Sequence, residues 1–173
     1  FRSENLAERL TEIMKKYRVA PSQINLEITE TAAAHSDMLE NNIEILHKQG
    51  IEFSLDDYGS GYSNTDYLFR FPFRIVKIDK TILWEAFKNE KAMIALRNTI
   101  RMIKELGLEI VVEGVENQEY VDYLTEQHCD YLQGYFYSKP IPDRDFLELL
   151  RRENAQYYAE RFSKNELSDI ITT

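Results

Sequence analysis

The chain has 173 residues, 43% of them hydrophobic, and carries a formal net charge of −9 at pH 7. This length allows a sizeable buried core. The acidic balance argues against a non-specific nucleic-acid binder, since such proteins neutralise phosphates with clusters of Lys and Arg. We therefore expect no DNA partner, and an anionic ligand would need cations beside it.

Composition also argues against membrane insertion and disulfide bonding. No run approaches the roughly 18 apolar residues of a membrane span, and the N-terminus lacks the basic and apolar regions of a signal peptide. Cys129 is the single cysteine and cannot form an internal disulfide, which fits a reducing compartment. We expect a cytoplasmic domain without direct membrane insertion, although the parent protein can carry a membrane tether elsewhere.

Strand-like runs alternate with helical patterns along the chain. An amphipathic helix is already under way at Leu6, Leu10 and Met14. After it, strands are predicted at Ile24 to Ile28, Glu52 to Asp56, Ile75 to Ile78, Glu109 to Glu113 and Tyr131 to Gly134. Further helices are predicted at Ser36 to Gln49, Asn64 to Phe69, Asn89 to Leu106, Asn117 through Leu124, and around Phe146 to Leu150.

Apolar and polar side chains alternate within the strands, so each strand has one apolar and one polar face. In the first strand, Leu26 and Ile28 point one way and Glu27 points the other; in the second, Leu55 opposes Asp56. An antiparallel sheet with one solvated face gives the same alternation. The long helices between the strands favour parallel pairing, because parallel strands need such crossovers.

The expected fold is therefore an α/β fold of the TIM-like (β/α) barrel type. A complete barrel usually needs roughly 200 to 250 residues, and the first residue is Phe1 rather than Met. We expect the N-terminal strands of the barrel to be missing from this chain. Residues 1–153 are expected to form the C-terminal portion of the barrel domain, and residues 154–173 a terminal helix or linker, with a partner-binding helix as the alternative.

Polar residues stand at the C-terminal ends of the strands, where barrels of this type place their active sites. These residues are Glu27, Asp56, Asp57, Lys77, Glu113 and Gln133. Four carboxylates in one barrel mouth would repel one another unless cations neutralised them. All-oxygen ligation favours Mg²⁺ or Mn²⁺ over zinc.

Adjacent side chains diverge, so Asp56 and Asp57 can ligate two different ions. Two divalent ions about 3.5–4 Å apart are the pattern that activates a water against a phosphodiester. No other chemistry competes: there is no serine nucleophile elbow, P-loop or dinucleotide fingerprint. His35, His47 and His128 show no ligand spacing and are expected on the surface.

Successive motifs at these strand ends are similar to those of a known family. They are Glu27-Ile28-Thr29-Glu30, the run from Asp56-Asp57 to Tyr62-Ser63, Lys77-Ile78-Asp79, Glu113-Gly114-Val115-Glu116 and Gln133-Gly134-Tyr135. In this order they resemble the motifs of the EAL domain family, from about Phe1 to about Leu150. Members of that family hydrolyse the bacterial second messenger cyclic di-GMP.

The resemblance implies two Mg²⁺ or Mn²⁺ ions that position a water to open one phosphodiester of cyclic di-GMP, giving linear pGpG. Glu27 and Asp56 would ligate one metal and Asp57 the other, and Glu113 would complete the acidic cluster. Asp57, Lys77 and Glu113 are the expected catalytic residues. Lys77 would hold the attacking water or offset charge on the phosphate; it could equally be a structural counter-ion for the acids, and the two roles are not exclusive.

The remaining motif residues are assigned to the substrate and to a loop. The resemblance implies that Asp79, Gln133 and Gly134 contact the substrate, although the amide of Gln133 could equally satisfy backbone groups. Glu30 resembles the residue that orders the loop after the aspartate pair. Here that loop is Tyr58 to Ser63, whose glycines permit motion.

The chain departs from the family pattern at its beginning. The signature Glu-Ala-Leu segment with its metal-binding glutamate, and the metal-binding asparagine of the following strand, should lie upstream of Phe1. We therefore expect this polypeptide alone to be inactive or to need a complementing segment. Three explanations are open: the parent protein holds the segment, the chain is truncated, or the protein is a degenerate member. The retained acids favour the first two explanations.

The expected function is part of a metal-dependent cyclic di-GMP phosphodiesterase in bacterial signalling. One alternative is a receptor that binds cyclic di-GMP without hydrolysis, and another is an interaction module without a nucleotide. The resemblance alone implies a homodimer and an upstream sensor or cyclase domain.

Overall fold

A computed structural model describes residues 6–33, 37–61 and 65–162 of the chain. The chain divides into two compact units, Phe1–Tyr137 and Ser138–Thr173. None of the helices in the described ranges is long and apolar enough to cross a membrane.

The first unit alternates helices and strands in the predicted order. Its elements are α1 (Leu6–Tyr17), a 3-10 turn (Pro21–Gln23), β1 (Asn25–Thr29), α2 (Glu30–Ala33), α3 (Asp37–Lys48), β2 (Glu52–Tyr58), α4 (Tyr67–Arg70), β3 (Phe73–Ile78), α5 (Lys80–Ala86), α6 (Glu90–Glu105), β4 (Glu109–Val112), α7 (Gln118–Glu126) and β5 (Tyr131–Leu132). All the predicted strands are present, each with a shift of a few residues at its ends.

The strands form a 5-stranded sheet in the order β1-β2-β3-β4-β5. Every neighbouring pair is parallel, so the antiparallel alternative is wrong. This is an α/β fold in which all the strands point the same way. Consequently the residues that follow each strand meet at one edge of the sheet.

Capping residues set the helix ends as the sequence predicts. The side chain of Asn89 accepts a hydrogen bond from the Lys91 amide at the start of α6, and Asn117 does the same for Tyr120 in α7. Gly107, directly after α6 and its C-cap Leu106, has φ +75, a conformation that glycine adopts without steric cost.

Short helices depart most from the sequence prediction. The helix expected at Asn64 to Phe69 spans Tyr67–Arg70, and its expected first residue lies outside the described ranges. Helix α5 was not expected at all, because a run of 7 residues is too short to show a 3.6-residue period. The Asp79 side chain, which accepts from the Thr81 amide, begins it.

One face of the sheet forms the core against the helices. The side chains on this face of the sheet are fully buried, and so are the side chains of α3 and α6 that face the sheet. They are Phe53, Leu55, Val76, Ile78, Ile110 and Val112 on the sheet, and Leu46, Leu96 and Ile103 on the helices. Burial of this apolar area is the main stabilising term, and it leaves the polar face of each strand free for chemistry.

The second unit contains α8 (Asp143–Phe162), which runs without a break across the boundary predicted after residue 153. Phe146, Leu147 and Leu150 lie on it as predicted and are 48%, 53% and 40% exposed. The division of the domain from its tail after residue 153 stays a prediction.

Replacing Phe53 with Ala tests the core. The side chain is fully buried, so we expect the free energy of unfolding in urea to fall by about 3–5 kcal/mol. Phe69, which is 69% exposed, is the matched control. Phe69→Ala should change the free energy of unfolding by less than about 0.5 kcal/mol. Equal losses of unfolding free energy in the two variants would contradict the buried position of Phe53.

The reactivity of Cys129 tests the packing of α7 and β5. Burial raises the pKa of its thiol to about 12, so almost no thiolate exists at neutral pH. We expect the native chain to react with a disulfide reagent far more slowly than the urea-unfolded chain, as followed by thionitrobenzoate release. Similar rates would show that Cys129 is not buried.

Candidate metal and catalytic site

The ladder of backbone hydrogen bonds continues past the strand ends and brings the motif residues together. Asp79 N donates to Tyr58 O at 3.2 Å, Glu113 N to Ile78 O at 3.0 Å, and Gln133 N to Val112 O at 2.9 Å. These bonds fix the backbone on which the polar side chains stand.

A β-bulge at the end of β2 presents two consecutive aspartates to the site. Leu55 pairs with Val76 and Tyr58 with Ile78, so β2 carries one residue more than β3 over this stretch. Asp57 takes φ +57, a left-handed conformation that is uncommon outside glycine. A β-bulge can change the direction of side chains beside an active site. Here the bulge and the left-handed backbone of Asp57 direct the Asp56 and Asp57 side chains toward different neighbours.

Lys77 is the cation of the site. Its Nζ lies 2.9 Å from Glu27 Oε1, 2.8 Å from Asp56 Oδ1 and 2.9 Å from Glu113 Oε1. Burial by itself lowers the pKa of this lysine, but hydrogen bonding to Asp56, Glu113 and Glu27 outweighs it, and the pKa lies well above its usual value. In the metal-free chain these three carboxylates therefore keep Lys77 protonated.

A second group of acids forms beside the lysine. Oxygens of Asp57, Asp79 and Glu113 lie within 4.8 Å of one another. Burial, followed by the charges of Asp56 and Asp79, raises the pKa of Asp57, so its ionised form is less favourable than that of an ordinary aspartate. Three carboxylates at this spacing fit a hard divalent cation such as Mg²⁺ or Mn²⁺. Glu113 belongs to this group and also contacts Lys77.

Glu30 lies under the loop that follows the aspartate pair. Its side chain is buried, and its Oε2 accepts a hydrogen bond from the Gly59 amide at 3.1 Å. Gly59 has φ +88, and a Cβ there would overlap the side chain of Ile82. The contact places Glu30 where a loop-ordering residue would stand, and that role stays a prediction. Tyr62 and Ser63, the later part of the loop, lie outside the described ranges.

Two of the three residues predicted to contact substrate, Gln133 and Gly134, line clefts. Gln133 is exposed and lines a cleft of about 480 Å³ together with Glu27 and Lys77. It also lines a second cleft, of about 210 Å³, with Glu113 and Gly134. A Cβ on Gly134 would overlap the backbone of Val115, so only glycine fits there.

Asp79 has two contacts that the sequence did not predict. Predicted as a substrate contact, it caps α5 and also belongs to the acidic group with Asp57 and Glu113. Its sequence signal was its position two residues after Lys77, directly after the end of β3. His47 and His128 are exposed as expected, whereas His35 lies outside the described ranges.

The motif order and this geometry agree with a family comparison, in which residues 1–140 match the EAL domain. The chain belongs to the EAL domain family. It is 34% identical over 148 residues to the cyclic di-GMP phosphodiesterase RocR of Pseudomonas aeruginosa, a match that covers 84% of this chain and 38% of RocR. The chain thus spans less than half of the length of this curated relative.

Solved EAL structures share the fold. The PaMucR phosphodiesterase in complex with c-di-GMP superposes with a TM-score of 0.77 at 30% identity, covering 82% of this chain and 58% of that one. The manganese and cyclic di-GMP complex of Klebsiella pneumoniae BlrP1 gives 0.74 at 25% identity, covering 80% and 36%.

Replacing Lys77 with Met tests the charge balance of this EAL site. The substitution keeps the length of the side chain and leaves three carboxylates without their shared cation. We expect the free energy of unfolding in metal-free buffer to fall by about 3 kcal/mol. Added Mg²⁺ should recover part of that loss, because an ion bound to the folded state stabilises it.

Lys48→Met is the matched control. Lys48 pairs with Glu44 at 2.6 Å on the exposed surface of α3, where an ion pair contributes about 0 to 1 kcal/mol. An equal loss in both variants, or a Lys77→Met loss that Mg²⁺ does not relieve, would contradict the role given to Lys77.

Proposed function

We propose that this chain is the metal-binding and ligand-binding part of a cyclic di-GMP phosphodiesterase that acts in bacterial signalling and releases linear pGpG. The observation that carries the proposal is the acidic group of Asp57, Asp79 and Glu113 beside the carboxylates held by Lys77. Relatives named as cyclic di-GMP phosphodiesterases share the family and the fold.

Two Mg²⁺ or Mn²⁺ ions are part of the proposal. Glu27 and Asp56 would hold one, and Asp57 and Asp79 the other, with Glu113 adjacent to both. Bound ions of this kind lower the pKa of water and offset the charge of a phosphodiester.

The protein groups have distinct tasks in this proposal. Lys77, kept protonated by its neighbours, holds Glu27 and Asp56 in place and contributes positive charge near the phosphate. Gln133 and Gly134 line the space beside Glu113 where the ligand would lie. Glu30 fixes the loop after Asp57 through the Gly59 amide.

A closed TIM-like barrel is the finer form of the fold that we propose. In the sheet that the structure describes, β1 and β5 are the edge strands, and unpaired edges readily take further strands. Strands beside them would close the barrel and bring the signature glutamate and asparagine to the metals. A homodimer, an upstream sensor or cyclase domain and a cytoplasmic site of action without a DNA partner belong to the proposal on the family resemblance alone.

The test is hydrolysis by the full-length protein that contains this chain. With Mn²⁺ or Mg²⁺ we expect conversion of cyclic di-GMP to pGpG, followed by chromatography, and loss of activity with a chelator. Asp57→Asn should lower turnover by about tenfold to a hundredfold or more. Asp122→Asn, a surface change on α7, should leave it unchanged.

Other outcomes separate the alternatives. Binding of cyclic di-GMP without hydrolysis would favour the receptor hypothesis over the phosphodiesterase. Absence of binding would favour an interaction module. Unchanged hydrolysis in Asp57→Asn would show that the acidic group is not the metal site.

A further inference from the structure

Trp84, on α5, is the chain's single tryptophan. Its indole Nε1 donates a hydrogen bond of 2.8 Å to the carbonyl oxygen of Gly114. The ring is partly buried, and Lys80 Nζ lies 5.5 Å from its centroid. Trp84 thus links α5 to the turn that directly follows the candidate metal ligand Glu113.

The turn at Gly114 has little freedom to move away from α5. Gly114 has φ +72, and the position of a Cβ is taken by the side chain of Lys80 and by Trp84 Nε1 at 3.1 Å. Any other residue would be strained in this conformation and would also collide with α5. The backbone therefore passes directly over the helix.

Hydrogen bonds hold the same turn from three directions. Glu113 N donates to Ile78 O at 3.0 Å on one side, and Val115 N donates to Gln133 O at 3.1 Å on the other. The indole of Trp84 holds the carbonyl between them. Its contact fixes the Gly114–Val115 peptide, one peptide beyond Glu113, and so restrains the backbone from which the Glu113 carboxylate projects.

Helix α5 thus acts on two members of the acidic group. Asp79 is its N-cap residue, and Trp84, one turn further along, holds the turn after Glu113. Because a single short helix joins both contacts, it sets the separation between the Asp79 and Glu113 carboxylates. Second-layer contacts of this kind tune metal affinity.

We infer that Trp84 is a positioning residue for Glu113, which it keeps at the distance from Asp79 that a divalent ion requires. The inference rests on the proposed metal-dependent function and adds a residue outside the motifs. In this role Trp84 acts through Glu113, and it also lines the cleft beside that residue.

The test compares Mn²⁺ binding by the 173-residue chain and by Trp84→Phe, with free Mn²⁺ measured by electron paramagnetic resonance. Phenylalanine keeps an aromatic ring but cannot donate to Gly114. Loss of one such hydrogen bond should weaken Mn²⁺ binding by about threefold to tenfold. Asn89→Ala is the control, since it removes the cap of α6 at a similar cost in stability, and its Mn²⁺ affinity should equal that of the wild type.

A second readout needs no variant. Mn²⁺ is paramagnetic, so its binding at Asp57, Asp79 and Glu113 should quench the emission of Trp84 with a saturable curve, and excess Mg²⁺ should reverse the quenching. Emission that is insensitive to bound Mn²⁺ would overturn the inference even if Trp84→Phe failed to fold.

The outcomes separate this inference from the proposed function. Weaker binding in Trp84→Phe with normal binding in Asn89→Ala supports both. Normal Mn²⁺ binding in Trp84→Phe, or equal weakening in the two variants, overturns the positioning role and leaves the metal site standing. A wild-type chain that binds no Mn²⁺ overturns the positioning role, whereas the proposed function is overturned only if the full-length protein fails to hydrolyse cyclic di-GMP.

Discussion

Repulsion between carboxylates is the constraint on which the site depends. A parallel sheet brings the ends of its strands to one edge, and here that edge carries Glu27, Asp56, Asp57, Asp79 and Glu113. Like charges this close destabilise the folded chain unless cations balance them. The protein supplies Lys77 to three of these acids, and burial, followed by the charges of Asp56 and Asp79, raises the pKa of Asp57.

Unusual backbone conformations arrange the acids into these two groups. The bulge after Leu55 and the left-handed Asp57 separate two consecutive aspartates, and the left-handed Gly114 brings the chain against α5. The left-handed conformation of Asp57 costs free energy and persists where the surroundings over-determine it. The fully buried apolar face of the sheet holds the backbone in this conformation. The core and the site therefore lie on opposite faces of the same strands.

Much of this arrangement could be predicted from sequence patterns. The rest could not, and the physical reasons can be identified. Alternation along the strands placed Glu27, Lys77 and Glu113 on the polar face, and capping residues such as Asn117 marked helix starts. The grouping of Asp57 with Asp79 could not be predicted, because it depends on the sign of one φ angle and on a one-residue shift in register. The contact of Trp84 with Gly114 joins residues 30 positions apart, and no local pattern records it.

Charge balance links the metal-free and the proposed metal-bound forms. Five carboxylates and one ammonium among these residues leave four negative charges when all are ionised, and the signature glutamate of the proposal would add a fifth, so two divalent ions would offset most of this charge. Without ions, Lys77 holds Glu27, Asp56 and Glu113 together, and Asp57 can take up a proton more readily than an ordinary aspartate. Because Glu113 contacts Lys77 and belongs to the second group, an ion bound beside Asp57 and Asp79 also changes the charge that Lys77 must balance, so the two halves of the site are expected to bind cations interdependently.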